Sequence, residues 1–434
     1  MRLSVRLALV TLAASAVSLV PALSSASILQ GEVVSDNPVN YTPRLTYGGT
    51  GPKPHVDAMA QGGAFGNTLY AGGLFDGAVS ADGTRTYPRQ NMMAFNADNG
   101  DMSGTFAPNV NGNVWAVEAT ATAVYVGGDF TTVNGVSRPG LAKLDPLTGA
   151  VDTGFQAPFK GGRVNEIELL NNRLIVGGSA GTKLMALNPT TGKNTFTLTL
   201  PITEAIPLAW GGVAVYDFAI NPAGTQLVAT GNFKTVDGLP RTRFFMADLT
   251  PTAATVTDWY YQPFAEKCAS EHPRRIAYLQ GIDYSPNGSY FVVAATGQVA
   301  PPGTKNVRVC DAAARFDVAT DSKAAWINYT GGDSVWAVAA TGAAVYAQGH
   351  FQWLDNTNGS ASTCPASDLA TCDSRKGVGA IDPQSGQALP WNPRKPAQLG
   401  GKAFLATTAG LWIGSDSEKI NGEQHRGIGL MPLP

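Results

Sequence analysis

One short pattern constrains this chain more than any other: two or three apolar residues, then small residues and glycine, returning seven times. It reads Leu69-Tyr70-Ala71-Gly72-Gly73, Val124-Tyr125-Val126-Gly127-Gly128, Leu174-Ile175-Val176-Gly177-Gly178 and Leu227-Val228-Ala229-Thr230-Gly231 in the first half. It continues as Val292-Val293-Ala294-Ala295-Thr296-Gly297, Val345-Tyr346-Ala347-Gln348-Gly349 and Leu411-Trp412-Ile413-Gly414-Ser415. The copies end at positions 73, 128, 178, 231, 297, 349 and 415, a period of roughly 50 to 66 residues. A self-similar unit of that length is a supersecondary module that must stack on its neighbours to bury its apolar faces.

Each copy reads as four strands. Upstream of the glycine motif lies a short inner strand A, as in Val114-Trp115-Ala116-Val117, Val215-Tyr216-Asp217-Phe218 and Val335-Trp336-Ala337-Val338. Turns such as Asn221-Pro222-Ala223-Gly224 and Ser285-Pro286-Asn287-Gly288 join it to the motif strand B as a hairpin. Strand C ends in Asp145-Pro146-Leu147-Thr148-Gly149, Asn188-Pro189-Thr190-Thr191-Gly192, Asn96-Ala97-Asp98-Asn99-Gly100 or Asp382-Pro383-Gln384-Ser385-Gly386. There Asp or Asn opens the turn, Pro presets φ where present, and Gly takes the left-handed closing position. An aromatic then marks an outer strand D: Phe106, Phe155, Phe196, Trp259, Trp326 and Trp391.

No seventh aromatic follows the last strand C, expected over residues 427–431. Near the N-terminus, Tyr41-Thr42-Pro43-Arg44 resembles Trp391-Asn392-Pro393-Arg394 and precedes any inner strand. Residues 39–46 are therefore expected to supply strand D of the last unit, closing a ring and removing the open sheet edge of a linear array. The fold class expected is all-β: a seven-bladed β-propeller of four-stranded antiparallel blades, closed by an N-terminal outer strand in the last blade.

Arg2 and Arg6 flank the start of an apolar run over 7–23 that ends in Ser24-Ser25-Ala26. This is the pattern of a secretory signal peptide over 1–26, followed by an extension over 27–38 and a single propeller domain over 39–434. No later stretch approaches the roughly 18 apolar residues of a membrane span, so a secreted, extracellular protein is expected. The formal charge of −2 becomes −4 without Arg2 and Arg6, which gives no basic field for nucleic acid. Only 14% of residues are charged while Gly (50) and Pro (28) abound, a balance suited to many short strands and tight turns.

The stretch Gly127-Gly128-Asp129-Phe130-Thr131-Thr132-Val133-Asn134-Gly135 through Arg138, then Leu141-Ala142-Lys143-Leu144-Asp145-Pro146-Leu147-Thr148-Gly149, resembles the delta-60 repeat of a β-propeller family of exported proteins. The likeness is specific in the second unit and weaker in the third and fifth. It implies fold and export, and no activity.

A–B and C–D turns share one face of such a blade, and B–C and D–A connections share the other. The long segments 265–277, 299–306 and 352–376 all belong to the second set, so one face is elaborated, where function usually sits. All four cysteines lie there, and four cysteines allow three pairings. Proximity favours Cys268 with Cys310 and Cys364 with Cys372, and export favours oxidation. Arg89, Arg138, Arg241, Arg375 and Arg426 recur before strand C. Recurrence once per unit reads as an anchor for each B–C hairpin rather than as an anion-binding ring.

A position near the start of strand A holds Asp57, Trp115, Asn165, Asp217, Asp283, Trp336 and Lys402. It faces the mouth of the expected channel, where carboxylates and indoles suit a sugar, a cation or a basic peptide group. Trp353 and Asp355 lie beside the long 352–376 connection, and Trp353 is a candidate contact for a partner. No catalytic set, cofactor motif or metal-ligand spacing appears: G-x-S-x-G, H-E-x-x-H and the nucleotide fingerprints are absent. His350 and His425 fall in adjacent B–C hairpins with no third ligand at suitable spacing. The expectation is a binding or scaffold module for a protein or cell-surface glycan. The alternatives are a polysaccharide hydrolase or lyase using channel-mouth carboxylates, and a purely structural surface protein.

Overall fold

The computed structural model describes residues 28–48, 51, 53–268, 277–297, 304–305, 307–365, 372–396 and 400–434. The expected leader at 1–26 and parts of the long connections, 269–276, 298–303 and 366–371, lie outside the described residues. The chain is all-β; its one helical segment among the described residues is a single 3-10 turn, Gln262–Ala265.

Each glycine motif forms a strand of its own antiparallel sheet, preceded by its A strand and followed by its C strand. The first sheet comprises His55–Gly62, Thr68–Leu74 and Met92–Asn96, and the second Val114–Ala119, Val124–Gly128 and Leu141–Leu144. The third holds Val164–Leu170, Arg173–Gly178 and Leu184–Leu187; the sixth Val335–Ala340, Val345–Gly349 and Val378–Ile381; the seventh Ala403–Thr407, Gly410–Gly414 and Ile428–Pro432. Among the described residues, only the fourth, with Ala214–Ile220, Gln226–Asn232, Phe244–Leu249 and Ala254–Val256, and the fifth have four strands. The fifth runs Leu279–Tyr284, Tyr290–Ala295, Ala312–Asp317 and Trp326–Tyr329.

The glycine pairs have a steric cause. A Cβ on Gly127 would sit 2.5 Å from Val164 Cγ1 of the next sheet, and one on Gly128 would sit 2.1 Å from the Asn113 carbonyl oxygen. The first glycine thus lets the next sheet approach, and the second lets its own A strand bulge against it. That bulge recurs in six sheets, where the register slips between Val56 and Ala58, Val114 and Ala116, Val164 and Glu166, Val215 and Asp217, Leu279 and Gly281, and Val335 and Ala337. A β-bulge re-aims the extra side chain, and here it aims one residue per sheet at a common space.

The outer strand is the part that departs most from the four-stranded expectation. In the first, second, third and sixth sheets it shrinks to single bridges, Phe95 to Met102, Leu144 to Val151, Leu187 to Asn194 and Ile381 to Ala388. Phe106, Phe155, Trp259, Trp326 and Trp391 are buried, but Phe196 is 72% exposed with φ 58°, and Leu198 fills the apolar position instead. A strand paired on one side only keeps few ladder bonds, so side-chain anchoring replaces pairing there. The turns before it behave as the sequence dictates. Asp145 Oδ1 accepts from the Leu147 and Thr148 amides at 3.0 and 2.8 Å, and Gly149 closes the turn at φ 71°.

Apolar clusters form between consecutive sheets, and one joins the last sheet to the first: Trp412, Ala403, Ile428 and Leu430 pack with Val56, Leu69 and Phe95. Trp412 meets Phe95 edge-on at 5.6 Å. Neighbouring sheets are also tied through turn carbonyls, since the Tyr70 and Tyr125 hydroxyls donate to the Pro146 and Pro189 carbonyls, each at 2.8 Å. The N-terminal segment runs along the last strand. The amides of Ser35, Val39 and Leu45 donate to the carbonyls of Pro432, Leu430 and Arg426 at 2.8, 3.0 and 2.9 Å. Arg44–Leu45 also pairs with Gly77–Val79.

Candidate functional site

The first strands of all seven sheets line one cavity of about 640 Å³. Asp57, Trp115, Asn165, Asp217, Asp283, Trp336 and Lys402 all face it, whereas Trp353 does not. The register corrects how the first six relate. The bulge residues are Asp57, Trp115, Asn165, Tyr216, Gln280 and Trp336, so Asp217 stands one residue beyond the bulge and Asp283 three beyond. The equivalent of Asp217 in the third sheet is Glu166, and the equivalents of Asp283 are Glu118 and Glu168. The sequence carries no mark of where each bulge falls, so Asp217 and Asp283 align with Asp57 and Trp115 in sequence although they stand one and three residues beyond the bulge. Sequence reasoning also passed over the three glutamates, although a charged residue inside an otherwise apolar strand, as in Val164–Leu170, was a usable signal.

The side chains sort into two levels. At the bulge level the Lys402 ammonium lies 4.4 Å from the Trp115 ring centre and 5.2 Å from that of Trp336, and the Arg163 guanidinium lies 4.8 Å from Trp115. Burial pushes Lys402 below the usual lysine range, with Asp57 pulling the other way. Asp57 Oδ2 accepts from Asn113 Nδ2 at 2.9 Å and pairs with His55 Nε2 at 3.1 Å. For His55, burial works downward, but the hydrogen bond and charge of Asp57 outweigh it and raise the imidazole above its ordinary value. Trp115 Nε1 reaches Asp129 Oδ2 at 3.4 Å, and Asn165 Nδ2 donates to the Val215 carbonyl at 2.6 Å.

Deeper lie five carboxylates on four adjacent sheets: Glu118, Glu166, Glu168, Asp217 and Asp283. Asp217 Oδ2 accepts from the Ile282 amide and Asp283 Oδ2 from the Ala340 amide, each at 2.8 Å. Each aspartate thereby staples its strand to the next sheet. Glu166 accepts from the Ile167 amide at 3.0 Å. Glu168 is only 8% exposed, and among the described residues its carboxylate accepts no hydrogen bond. Burial, reinforced by neighbouring carboxylates, holds Glu166 and Glu168 well above the usual carboxylate range. Burial pushes Asp217 up to about 7, with backbone hydrogen bonds from Ile282 and Phe218 opposing.

Away from the cavity, the half-buried Trp353 belongs to a small ladder, Trp353–Leu354 against Asp373–Ser374. The cysteines pair as Cys268–Cys310 and Cys364–Cys372. Four of the recurrent arginines share one geometry: Arg89, Arg138, Arg241 and Arg375 donate from Nη1 to the preceding carbonyl and from Nη2 to the carbonyls of Ser103, Asp152, Thr257 and Leu389. They anchor hairpins. Arg426 departs from the set, lying 3.8 Å from Glu418 and over the Tyr47 ring. His350 faces Asp333 at 3.4 Å, and the buried His425 bonds Thr42 at 3.0 Å. Among the described residues, no three His, Cys, Asp or Glu side chains are placed to hold a metal ion.

A family model described as a domain of unknown function (DUF5122) beta-propeller matches residues 124–155, within the second unit. No curated protein matches the chain. Among solved structures, the chain is similar to the extracellular domain of BT4673 from B. thetaiotaomicron, described as a hybrid two component system in one structure and a one component system in another. Identity is 12% in both, with TM-scores of 0.46 and 0.48. These alignments cover 90% and 89% of this chain, which spans only 40% and 39% of those domains. It is also similar to the computationally designed Ika8 protein, at 10% identity and TM-score 0.44, over 90% of this chain and 98% of that one.

Proposed function

We propose that this chain is an exported, closed seven-bladed propeller over residues 39–434 that serves as a binding module, receiving a protein or cell-surface glycan at the loop-bearing mouth of its channel. The observation that carries this is the convergence of bulge residues from successive sheets on one cavity, with two indoles and two cations at the same level. Indoles give a large contact area at little entropic cost, which is why they recur in binding hot spots. Ring closure is supported by the cluster between the last and first sheets and by the hydrogen bonds of Ser35, Val39 and Leu45. Two disulfides support an oxidising, extracellular location.

The test is a glycan array with purified cell-wall polysaccharides, run on the mature chain and on Trp336→Ala, with product analysis in parallel. Saturable binding without product release, weakened about tenfold or more in Trp336→Ala, is expected; tenfold corresponds to about 1.4 kcal/mol. Shortened sugars in the product analysis would instead establish the hydrolase or lyase reading, and no binding at all would leave a structural protein.

A further inference from the structure

We propose that the channel interior binds an aliphatic ammonium ligand carrying more than one positive charge, either a free polyamine or the lysine side chains of a basic peptide. The proposal rests on the reading of the channel as a binding site and names its chemistry.

Charge narrows the ligand first. The groups facing the cavity are Asp57, Glu118, Glu166, Glu168, Asp217 and Asp283 against Arg163 and Lys402, so acids outnumber bases, and the bases stand at one level only. Glu168 adds a second, independent observation. It is more than nine-tenths buried, lines the cavity and accepts no hydrogen bond from a described residue. A buried carboxylate in that state is costly unless it is protonated or something charged completes it.

Shape narrows the ligand. No three of the acids are placed for a metal ion among the described residues. The cavity of about 640 Å³ exceeds what one ion needs, since it equals about twenty waters at roughly 30 Å³ each. Ala60, Val117, Phe218 and Ile282 line the same cavity as the carboxylates. A lining that joins carboxylates to apolar surface is the complement of ammonium groups separated by methylenes.

The protein supplies its own example in Lys402, an alkylammonium seated against two indoles. Aromatic faces attract such cations, most strongly when water is excluded. The upward-held carboxylates fit the same picture, because a bound ammonium would restore their ionised form and expel protons.

Isothermal titration of spermidine into the full mature chain, at physiological salt and in buffers of different ionisation enthalpy, tests this. The expected result is saturable binding with proton release, at least tenfold weaker in Glu168→Gln. The diol 1,8-octanediol, similar in length and uncharged, should not bind. Tetralysine titrated in parallel separates the two sources: binding by tetralysine and not spermidine assigns a peptide, the converse a free polyamine, and either sustains the site. Absence of both, or affinities unchanged in Glu168→Gln with thermal unfolding confirming a folded variant, overturns it. If polysaccharide or protein still binds in a Trp336-dependent way while both amines fail, this inference falls and the proposed function stands.

Discussion

The ammonium of Lys402, from the seventh sheet, lies 4.4 Å from the ring centre of Trp115, in the second sheet. The two residues are far apart in sequence and meet only because the first strands converge. Trp336 of the sixth sheet completes the contact at 5.2 Å. Coupling between Lys402 and either indole is therefore a probe of the channel mouth. A double-mutant cycle of Lys402→Met with Trp336→Ala, followed by denaturant unfolding, should give an interaction energy of roughly 0.5–2 kcal/mol. Additive effects would mean that the contact carries no energy.

The interior carboxylates fix a pH dependence whose sign follows from their position. Glu166, Glu168 and Asp217 hold protons more tightly folded than unfolded. Where the unfolded chain has lost those protons and the folded chain has not, stability falls as pH rises. With Asp217 held up at about 7, that window runs from the ordinary carboxylate range near pH 4 to about 7. Glu168→Gln removes one such group without breaking a described hydrogen bond. Its melting temperature should exceed that of the parent by a few degrees at pH 7.5 and match it near pH 4, each pKa unit corresponding to about 1.4 kcal/mol. A variant less stable at pH 7.5 would show that the ionised Glu168 has a partner.

Arginine at the hairpins acts by geometry rather than charge. Arg241 donates to the carbonyls of Pro240 and Thr257 at 3.0 and 2.8 Å and stacks over Tyr260. Arg241→Ala should cost roughly 1–3 kcal/mol. Arg241→Lys should recover little, because one ammonium lacks the planar fork. Chemical denaturation of both variants checks the claim, and full recovery by lysine would refute it.

The two disulfides should differ in weight. Cys268–Cys310 closes a separation of 42 residues and Cys364–Cys372 one of 8. The chain-entropy estimate gives about 4 kcal/mol for the first and about 2.5 kcal/mol for the second. Paired Cys→Ser variants compared by thermal unfolding should rank in that order. The reverse ranking would mean that the short loop holds more structure than its closure alone.

What the sequence made legible were the features with local chemistry. Asp145 and Gly149 define their turn through a side-chain acceptor and a left-handed backbone that few other residues provide. Gly127 and Gly128 recur because a Cβ at either position meets atoms brought there by the fold. The outer strands were harder to read. Phe155 and Phe196 occupy corresponding positions in sequence, yet one is buried and the other solvent-facing, because a strand with one neighbour is placed by packing rather than by pairing. The cavity lining was half legible: Asp57, Trp115 and Trp336 face the cavity at bulge positions, while Glu118, Glu166 and Glu168 stand one or three residues beyond bulges that carry no mark in the sequence.

Seven first strands can wall one cavity only if the N-terminal segment holds the last sheet against the first. Ser35 and Val39 donate to that sheet's last strand and Leu45 to Arg426 two residues before it, and Gln30 Nε2 donates to the Thr407 and Gly410 carbonyls at 3.0 Å. The direct measurement is thermal unfolding of chains beginning at residue 28 and at residue 48. Losing these bonds and their apolar contacts should cost several kcal/mol, lowering the melting temperature by roughly 10 °C or more or abolishing the cooperative transition. Equal melting temperatures would contradict ring closure, and the channel reading would fall with it.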